Sequence, residues 1–173
     1  MNVLATGAAA APGLAAPTCV TLQPGELCVL GRGDSVDILL GSCVAIVLTD
    51  PRRTLAGACH VVHVGVRHIG PGLPTAHGPT ALAALFASLR ARAIEPMRCH
   101  AWVAGGGHMF PQRLLERPDE LHPGHLNSHW ALQALSALGI PVLGHHLGGT
   151  AYRRLRWTVG PGTPSVDATD ITG

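Results

Sequence analysis

A chain of 173 residues is the size of one domain and can bury a sizeable core without help from disulfide bonds. All 12 of its basic residues are arginine, and the absence of lysine excludes Schiff-base and lysine-base mechanisms. With a formal net charge of only +2 and no dense basic block, the chain lacks the pattern typical of nucleic-acid binding.

The termini and the cysteines indicate a cytoplasmic protein. The five cysteines are an odd number without a C-x-x-C pair, so neither a disulfide framework nor a ribbon-type zinc site is expected. Residues 1–17 are Ala-rich and lack the positive start and continuous apolar core of a secretory signal, so we expect a disordered tail. No segment approaches the ~18 uninterrupted apolar residues that a membrane span needs.

The first half of the ordered chain is expected to be mostly strands. The stretch "CVTLQPGELCVL" reads as a strand, a Pro-Gly turn and a second strand. A third strand runs from Val44 to about Leu48, and "LAGACHVVHV" forms another directly after a short turn. This short connection predicts an antiparallel pair, in which Cys43 and His60 would meet at neighbouring positions.

The second half alternates less regularly. "TALAALFASLRARA" repeats apolar residues at helical spacing, and Pro79 suits the first turn of that helix. "MRCHAWVAGGG" reads as a strand entering a glycine turn, and "NSHWALQALSALG" as a second helix with Asn127 as its N-cap. "IPVLGHHLGG" and "AYRRLRWTVG" give two more strands, and residues 161–173 are expected to form a flexible tail.

The order of these elements predicts an α+β fold. Roughly six or more strands and two helices occur in blocks rather than in strict alternation, which is typical of layered α+β domains. We expect layered sheets, mixed and antiparallel, with about two α-helices packed on one side. Residues 18–160 would form this single domain.

Cys43 is the first candidate for chemistry. It follows Gly41 and Ser42 at the start of a strand, where small residues leave room for a substrate carbonyl and nearby amides could bind an oxyanion. A nucleophilic cysteine needs a base, and His60 is the nearest candidate. His63 is a rival, but residues three apart on a strand point to opposite faces. The alternative is that Cys43 is simply a small buried residue.

Two other patterns point to different chemistry. His125 and His129 are four residues apart at the start of the second helix, a spacing that can hold zinc, although 11 histidines in this chain also indicate a compositional habit. The turn "AGGGHMF" lacks the lysine and the spacing of a phosphate loop, so nucleotide binding is not expected. Its three glycines predict a close backbone approach.

In order, "LLGSCVAIVLTDP", "GACHVVHV", "VAGGGHMF", "HPGHLN" and "HHLGGTAYRRLRW" resemble the chemoreceptor glutamine deamidase family, CheD. The resemblance covers about Val20 to Val159. Its most specific parts are the L-G-S-C-V-A stretch, a histidine 17 residues after the cysteine, and the G-G-x-x-M-F turn. The order and spacing of these parts are more specific than any one of them.

The resemblance implies a cysteine hydrolase that converts glutamine side chains of methyl-accepting chemotaxis receptors to glutamate, without a cofactor or metal. Cys43 matches the family nucleophile and His60 its general base. Gly41, Ser42 and Gly106 match family positions near the substrate and oxyanion. The resemblance also implies methylesterase activity in some members and, in some bacteria, binding to a CheC-type phosphatase.

Three departures from the family pattern leave alternatives open. Asp37 stands where the family usually has threonine, and it could either orient the imidazole as the third member of a triad or be a solvated turn residue. Residues 61–64 read Val-Val-His-Val for the usual Phe-Met-Leu-Pro, and residues 146–149 read His-Leu-Gly-Gly for Asp-Thr-Gly-Gly. A binding module without catalysis is therefore the second hypothesis.

Overall fold

The computed structural model describes residues 16–65, 73–110 and 122–171. The expected N-terminal tail lies outside these ranges except for its last two residues. The strands are β1 (Cys19–Thr21), β2 (Leu27–Gly31), β3 (Ser35–Leu40), β4 (Val44–Thr49), β5 (Leu55–Val61), β6 (His100–Gly105), β7 (Val142–Leu147), β8 (Ala151–Thr158) and β9 (Ser165–Asp170), and the α-helices are α1 (Gly78–Arg90) and α2 (Pro123–Ala137).

The strands form two sheets. A four-stranded sheet has the order β1-β3-β8-β9, and a five-stranded sheet has the order β2-β5-β4-β6-β7. Each sheet is mixed, because β1 runs parallel to β3 and β6 runs parallel to β7 while the other pairs are antiparallel. The predicted α+β class with mixed sheets is confirmed.

The two sheets and the helices stack as three layers. The inner face of the four-stranded sheet packs on one face of the five-stranded sheet and forms one core. Helices α1 and α2 pack on the opposite face of the five-stranded sheet and form a second core. Strand β4 is buried on both faces, which accounts for the unbroken apolar run from Val44 to Leu48. Both helices lie on one side, as predicted. Neither described helix is long and apolar enough to cross a membrane.

The predicted β4–β5 hairpin is confirmed. The strands pair antiparallel, with Ala45 opposite His60. Strands β1 and β2 also form, but each belongs to a different sheet, so they do not pair with one another. Strand β3 was not predicted, although its apolar residues Val36, Ile38 and Leu40 alternate as expected for one buried face.

The C-terminal segment requires a correction. Residues 161–173 were expected to be a flexible tail, yet β9 pairs antiparallel with β8 over six residues, with Val166 opposite Leu155. The expectation failed because "SVDATD" carries little apolar patterning of its own, and its pairing with β8 depends on main-chain hydrogen bonds.

The turn between β4 and β5 is organised by Asp50. Its carboxylate accepts hydrogen bonds from the backbone N–H groups of Arg52, Thr54 and Leu55 and from the Thr54 hydroxyl. Burial acts to raise the pKa of this carboxyl, but the N–H groups of Leu55 and Thr54 outweigh it, and the pKa lies below its usual range.

We expect Asp50→Ala to lower the free energy of unfolding by about 1–3 kcal/mol, because it leaves several turn N–H groups unpaired. Since the folded pKa is depressed, the carboxylate stabilises the fold fully above its unfolded pKa, and this stabilisation is lost as the pH falls through the folded pKa. Urea unfolding of wild type and Asp50→Ala should therefore differ at about pH 7 and converge toward about pH 2. An undiminished difference in acid would contradict this assignment.

Candidate active site

Cys43 and His60 lie on the same side of the five-stranded sheet. His60 pairs with Ala45, and Cys43 stands two residues before Ala45, so alternation along the strand gives the two side chains one face. They are diagonal neighbours across the strand pair, a separation that a histidine side chain can span. That face looks toward the four-stranded sheet, where Cys43 packs half-buried against the core. His60 is buried.

The glycine turn after β6 holds the nucleophile loop, residues 41–43, through its backbone. The N–H of Gly106 donates to the carbonyl of Cys43 at 2.8 Å, and the N–H of Gly107 donates to that of Gly41 at 2.8 Å. The Gly106 N–H is therefore committed to the loop, and the structure does not place it as an oxyanion donor. The predicted close backbone approach is the contact between these two segments.

The contact leaves no space for side chains. A Cβ on Gly105 would lie 2.1 Å from the carbonyl oxygen of Cys43, and both Gly105 and Gly106 have positive φ angles, +118° and +65°. The first turn of α2 approaches equally closely, since a Cβ on Gly124 would lie 2.6 Å from the Gly106 carbonyl oxygen. On the other side of the loop, a Cβ on Gly41 would lie 3.0 Å from the Met109 side chain.

Besides the Gly106 and Gly107 N–H groups, the Asn127 side chain also hydrogen-bonds to the nucleophile loop, a role that the sequence did not predict. The helix begins at Pro123 with His122 as its N-cap, so the prediction that Asn127 caps it is wrong. Asn127 is only 1% exposed, and its Nδ2 donates to the carbonyls of Ser42 at 3.0 Å and Val62 at 2.9 Å. It thus ties the residue before the nucleophile to the strand that carries His60.

His60 has the protonation state of a base. Its Nδ1 lies 3.2 Å from the carbonyl of Leu22, and because a carbonyl only accepts, Nδ1 carries the proton. Its Nε2 is buried and has no hydrogen-bond partner within the described residues. Burial lowers the pKa of this imidazole, and the Leu22 carbonyl offsets part of that effect. At neutral pH, His60 therefore has an unshared electron pair at Nε2.

The thiol of Cys43 is not ionised by its surroundings. Burial raises its pKa, while a hydrogen bond from its own backbone N–H to the sulfur acts in the opposite direction. Cysteine and histidine are therefore both neutral at rest, so the thiol must lose its proton to a base as it attacks.

The structure does not bring Asp37 to His60. Its neighbours Val36 and Ile38 point into the inter-sheet core, so Asp37 points to the outer face of the four-stranded sheet. There Arg154 binds both carboxylate oxygens, with Nε at 2.8 Å from Oδ1 and the terminal nitrogen at 2.6 Å from Oδ2, and the hydrogen bond from Arg154 lowers the Asp37 pKa. The group that orients His60 here is the Leu22 carbonyl.

Two pairs of histidine rings lie close together outside the site. His125 and His129 stack on the exposed surface of α2 with ring centroids 6.2 Å apart. The His63 ring lies against that of His77 at 5.5 Å. Within the described ranges, no three His, Cys, Asp or Glu side chains are placed to share a metal ion.

Exposed or half-buried apolar side chains flank the nucleophile loop and the glycine turn along the chain, and Tyr152 of β8 lies beside Gly41. Leu39 is 64% exposed, Phe110 59% and Tyr152 46%. Met109 and Tyr152 are the side chains that a Cβ on Gly41 would touch. We call Leu39, Met109, Phe110 and Tyr152 the apolar rim. A rim of this kind, next to a reactive group, is typical of a surface that receives another protein.

A family model and two named relatives point to the same family. Residues 67–167 match the family model described as CheD chemotactic sensory transduction. A protein of Albidiferax ferrireducens named "Probable chemoreceptor glutamine deamidase CheD 2" is 32% identical over 148 residues, covering 84% of each chain. A "Probable chemoreceptor glutamine deamidase CheD" of Pseudomonas syringae pv. tomato is 29% identical over 136 residues, covering 79% of this chain and 80% of the relative. A solved structure from Neisseria meningitidis, of the family DUF152, has a TM-score of 0.39 and 16% identity, covering 72% of this chain and 52% of the other.

Proposed function

The chain belongs to the CheD family, and from this premise we propose that it is a chemoreceptor glutamine deamidase with Cys43 as nucleophile and His60 as general base. The observation that carries the proposal is the buried Nε2 of His60, which has no hydrogen-bond partner in the part of the chain that the structure describes and lies on the face shared with Cys43. Relatives named as chemoreceptor glutamine deamidases support the substrate class.

The reaction proceeds in two halves. His60 Nε2 takes the thiol proton as the sulfur of Cys43 attacks the glutamine amide carbon, and the oxyanion forms near the Cys43 N–H. The same proton passes to the amide nitrogen, ammonia leaves, and a thioester remains. Water then attacks the thioester with His60 as base, which releases glutamate and restores the thiol. Because primary amides are unreactive, much of the rate enhancement comes from the fixed loop.

The test is direct. Cytoplasmic fragments of methyl-accepting chemotaxis receptors are incubated with the chain, and the mass of each glutamine-containing peptide is followed. Conversion of an amide to an acid adds about one dalton, and ammonia is released in equal amount. Enzyme alkylated at its thiols serves as the control. Receptor peptides of unchanged mass across a panel of fragments would overturn the proposal in favour of a binding module.

We assign the apolar rim to receptor docking and propose that a CheC-type phosphatase, where present, binds there too. Leu39→Asp should raise KM about tenfold and leave kcat within about twofold, because it removes docking energy without touching the reacting groups. Leu143→Asp is the matched control, since Leu143 is an exposed leucine on β7 outside the rim. Equal KM values for the two variants would contradict the assignment. Pull-down with a CheC-type phosphatase should show the same difference.

We expect Asp37→Ala to keep kcat within about threefold of wild type, because its carboxylate binds Arg154 on the outer face and exposed ion pairs contribute only ~0–1 kcal/mol. Asp37→Thr, which restores the usual family residue, should behave likewise. Steady-state ammonia release checks both variants. A hundredfold fall in kcat for a folded Asp37→Ala would show that this residue acts on His60 after all.

A further inference from the structure

Arg153 is a buried cation of β8. It faces inward on β8, opposite Leu40, and is only 4% exposed. Its guanidinium donates to the carbonyls of Ala151, at 2.9 Å, and Gly148, and its Nε donates to Nδ1 of His146 at 2.8 Å. Among the described residues it makes no ion pair with a carboxylate. Breaking such a network is costly because a buried charge is left unsatisfied.

Arg153 stabilises the turn between β7 and β8, and that turn is hydrogen-bonded to the glycine turn after β6. The Gly148 N–H donates to the Gly105 carbonyl at 3.1 Å, and the Gly149 carbonyl accepts from the His108 N–H at 2.7 Å. Arg153 also lies directly against the glycine turn, since a Cβ on Gly107 would be 3.1 Å from Nη1 of Arg153. Through Gly106 and Gly107 these contacts reach the carbonyls of Cys43 and Gly41, as described above.

The hydrogen bond from Arg153 fixes the state of His146. Nδ1 of His146 accepts from Nε of Arg153, so it carries no proton. Protonation would turn that nitrogen into a donor, break the bond and set two positive charges side by side. His146 is solvent-exposed on β7, so water supplies the proton.

The described residues around His146 are mostly apolar. The neighbouring cavity of about 290 Å³ is lined by apolar residues of β6, β8 and β9, namely Trp102, Ala104, Leu155 and Val166, together with His145 of the same strand. From β8 the charged group is Arg153, and from β9 Asp170 acts electrostatically on Arg153. His108 lies in the glycine turn. No described carboxylate stands between His146 and Arg153 to compensate a second positive charge.

We propose that Arg153 is a positioning residue for Cys43. Arg153 fixes the nucleophile loop through the two glycine-containing turns, and it does so only while His146 is neutral. The substrate class rests on the proposed function, but the positioning does not. Protonation of two histidines would then lower activity by different routes. Protonation of His60 removes the base, and protonation of His146 frees the nucleophile loop.

The test compares wild type with His146→Asn, whose amide oxygen can accept from Arg153 without titrating. His145→Asn is the matched control on the same strand. Two-dimensional amide NMR follows Gly106 and Gly107 from about pH 8 to about pH 5, a range in which histidines change charge. In wild type and His145→Asn these resonances should shift as the pH falls, and in His146→Asn the shift should be smaller or absent. This readout needs no substrate.

The activity profile gives the second readout. In wild type, kcat/KM should fall more steeply in acid than in His146→Asn, because two protonations oppose the reaction in wild type and only one opposes it in the variant. In the variant only the protonation of His60, whose pKa burial lowers, opposes the reaction, so the variant should lose less activity in acid than wild type. Arg153→Lys should lose about 100-fold in kcat with little change in KM, as expected for misplaced reacting groups.

Two results would overturn the proposal: amide titrations of Gly106 and Gly107 that are the same in wild type and His146→Asn, or a folded Arg153→Lys with wild-type kcat. If no receptor glutamine is converted by any form of the chain, the proposed function fails, and the NMR comparison still decides whether Arg153 and His146 control the loop.

Discussion

Cys43→Ala should lower the rate of glutamine deamidation by about four orders of magnitude or more, because no other group can form the thioester. The fold should survive the change. The side chain is half-buried and packs at the margin of the inter-sheet core, so loss of one sulfur atom should cost no more than about 1 kcal/mol. Ammonia release, peptide mass and thermal unfolding measure both parts of this expectation.

Cys28→Ala is the matched control for that result. Cys28 lies on β2, is half-buried, and packs against the same inter-sheet core as Cys43. Burial raises its pKa to about 11, so it is protonated at neutral pH. This variant should deamidate at the wild-type rate. Loss of activity in both variants would indicate that packing rather than nucleophilicity was disturbed, and retained activity in Cys43→Ala would remove Cys43 from the mechanism.

Asn127→Leu should lower kcat by about 100-fold and leave KM nearly unchanged, because it frees the loop before Cys43 from the strand that carries His60. Two carbonyls, those of Ser42 and Val62, lose their donor, and the free energy of unfolding should fall by about 1–3 kcal/mol. Steady-state kinetics and urea unfolding measure the two effects separately.

Gln133→Leu makes the same chemical change, from amide to apolar, at an exposed position of the same helix. It should leave both kcat and stability close to wild type. The rate of Cys43 alkylation gives a further comparison, and it should change in Asn127→Leu alone. If Asn127→Leu is destabilised but keeps its kcat, the residue is only structural and the positioning role is wrong.

The elements around Cys43 and His60 could be predicted because local pattern and long-range packing agree there. The apolar run of β4, a tight turn and a second apolar run specify a buried hairpin. The register of that hairpin places His60 opposite Ala45, two residues after Cys43. Strand β3 was equally readable, since three apolar residues alternate within it, and it was missed. Strand β9 carries no comparable signal.

The groups that orient the site were harder to foresee. The Leu22 carbonyl is a backbone atom, so no choice of side chain marks it in the sequence. Asparagine favours the N-cap position, which is why the sequence predicts Asn127 there. Proline favours the first position of a helix, and the helix in fact begins at Pro123, four residues before Asn127. Asp37 is a candidate because it stands where the family usually has threonine, yet alternation along β3 directs it away from His60.

The contact between the glycine turn and the first turn of α2 makes this domain unusually sensitive to the smallest substitutions. Alanine at Gly105 would press a methyl group onto the carbonyl of Cys43, and alanine at Gly124 would press one onto that of Gly106. Both contacts are with backbone, which cannot move aside as a side chain can. A saturation scan selected for soluble expression should therefore reject every replacement at these glycines and accept many at Cys43 and His60. The same library selected for deamidation should reject all four positions, so subtracting the two maps separates the residues that build the scaffold from those that perform the chemistry.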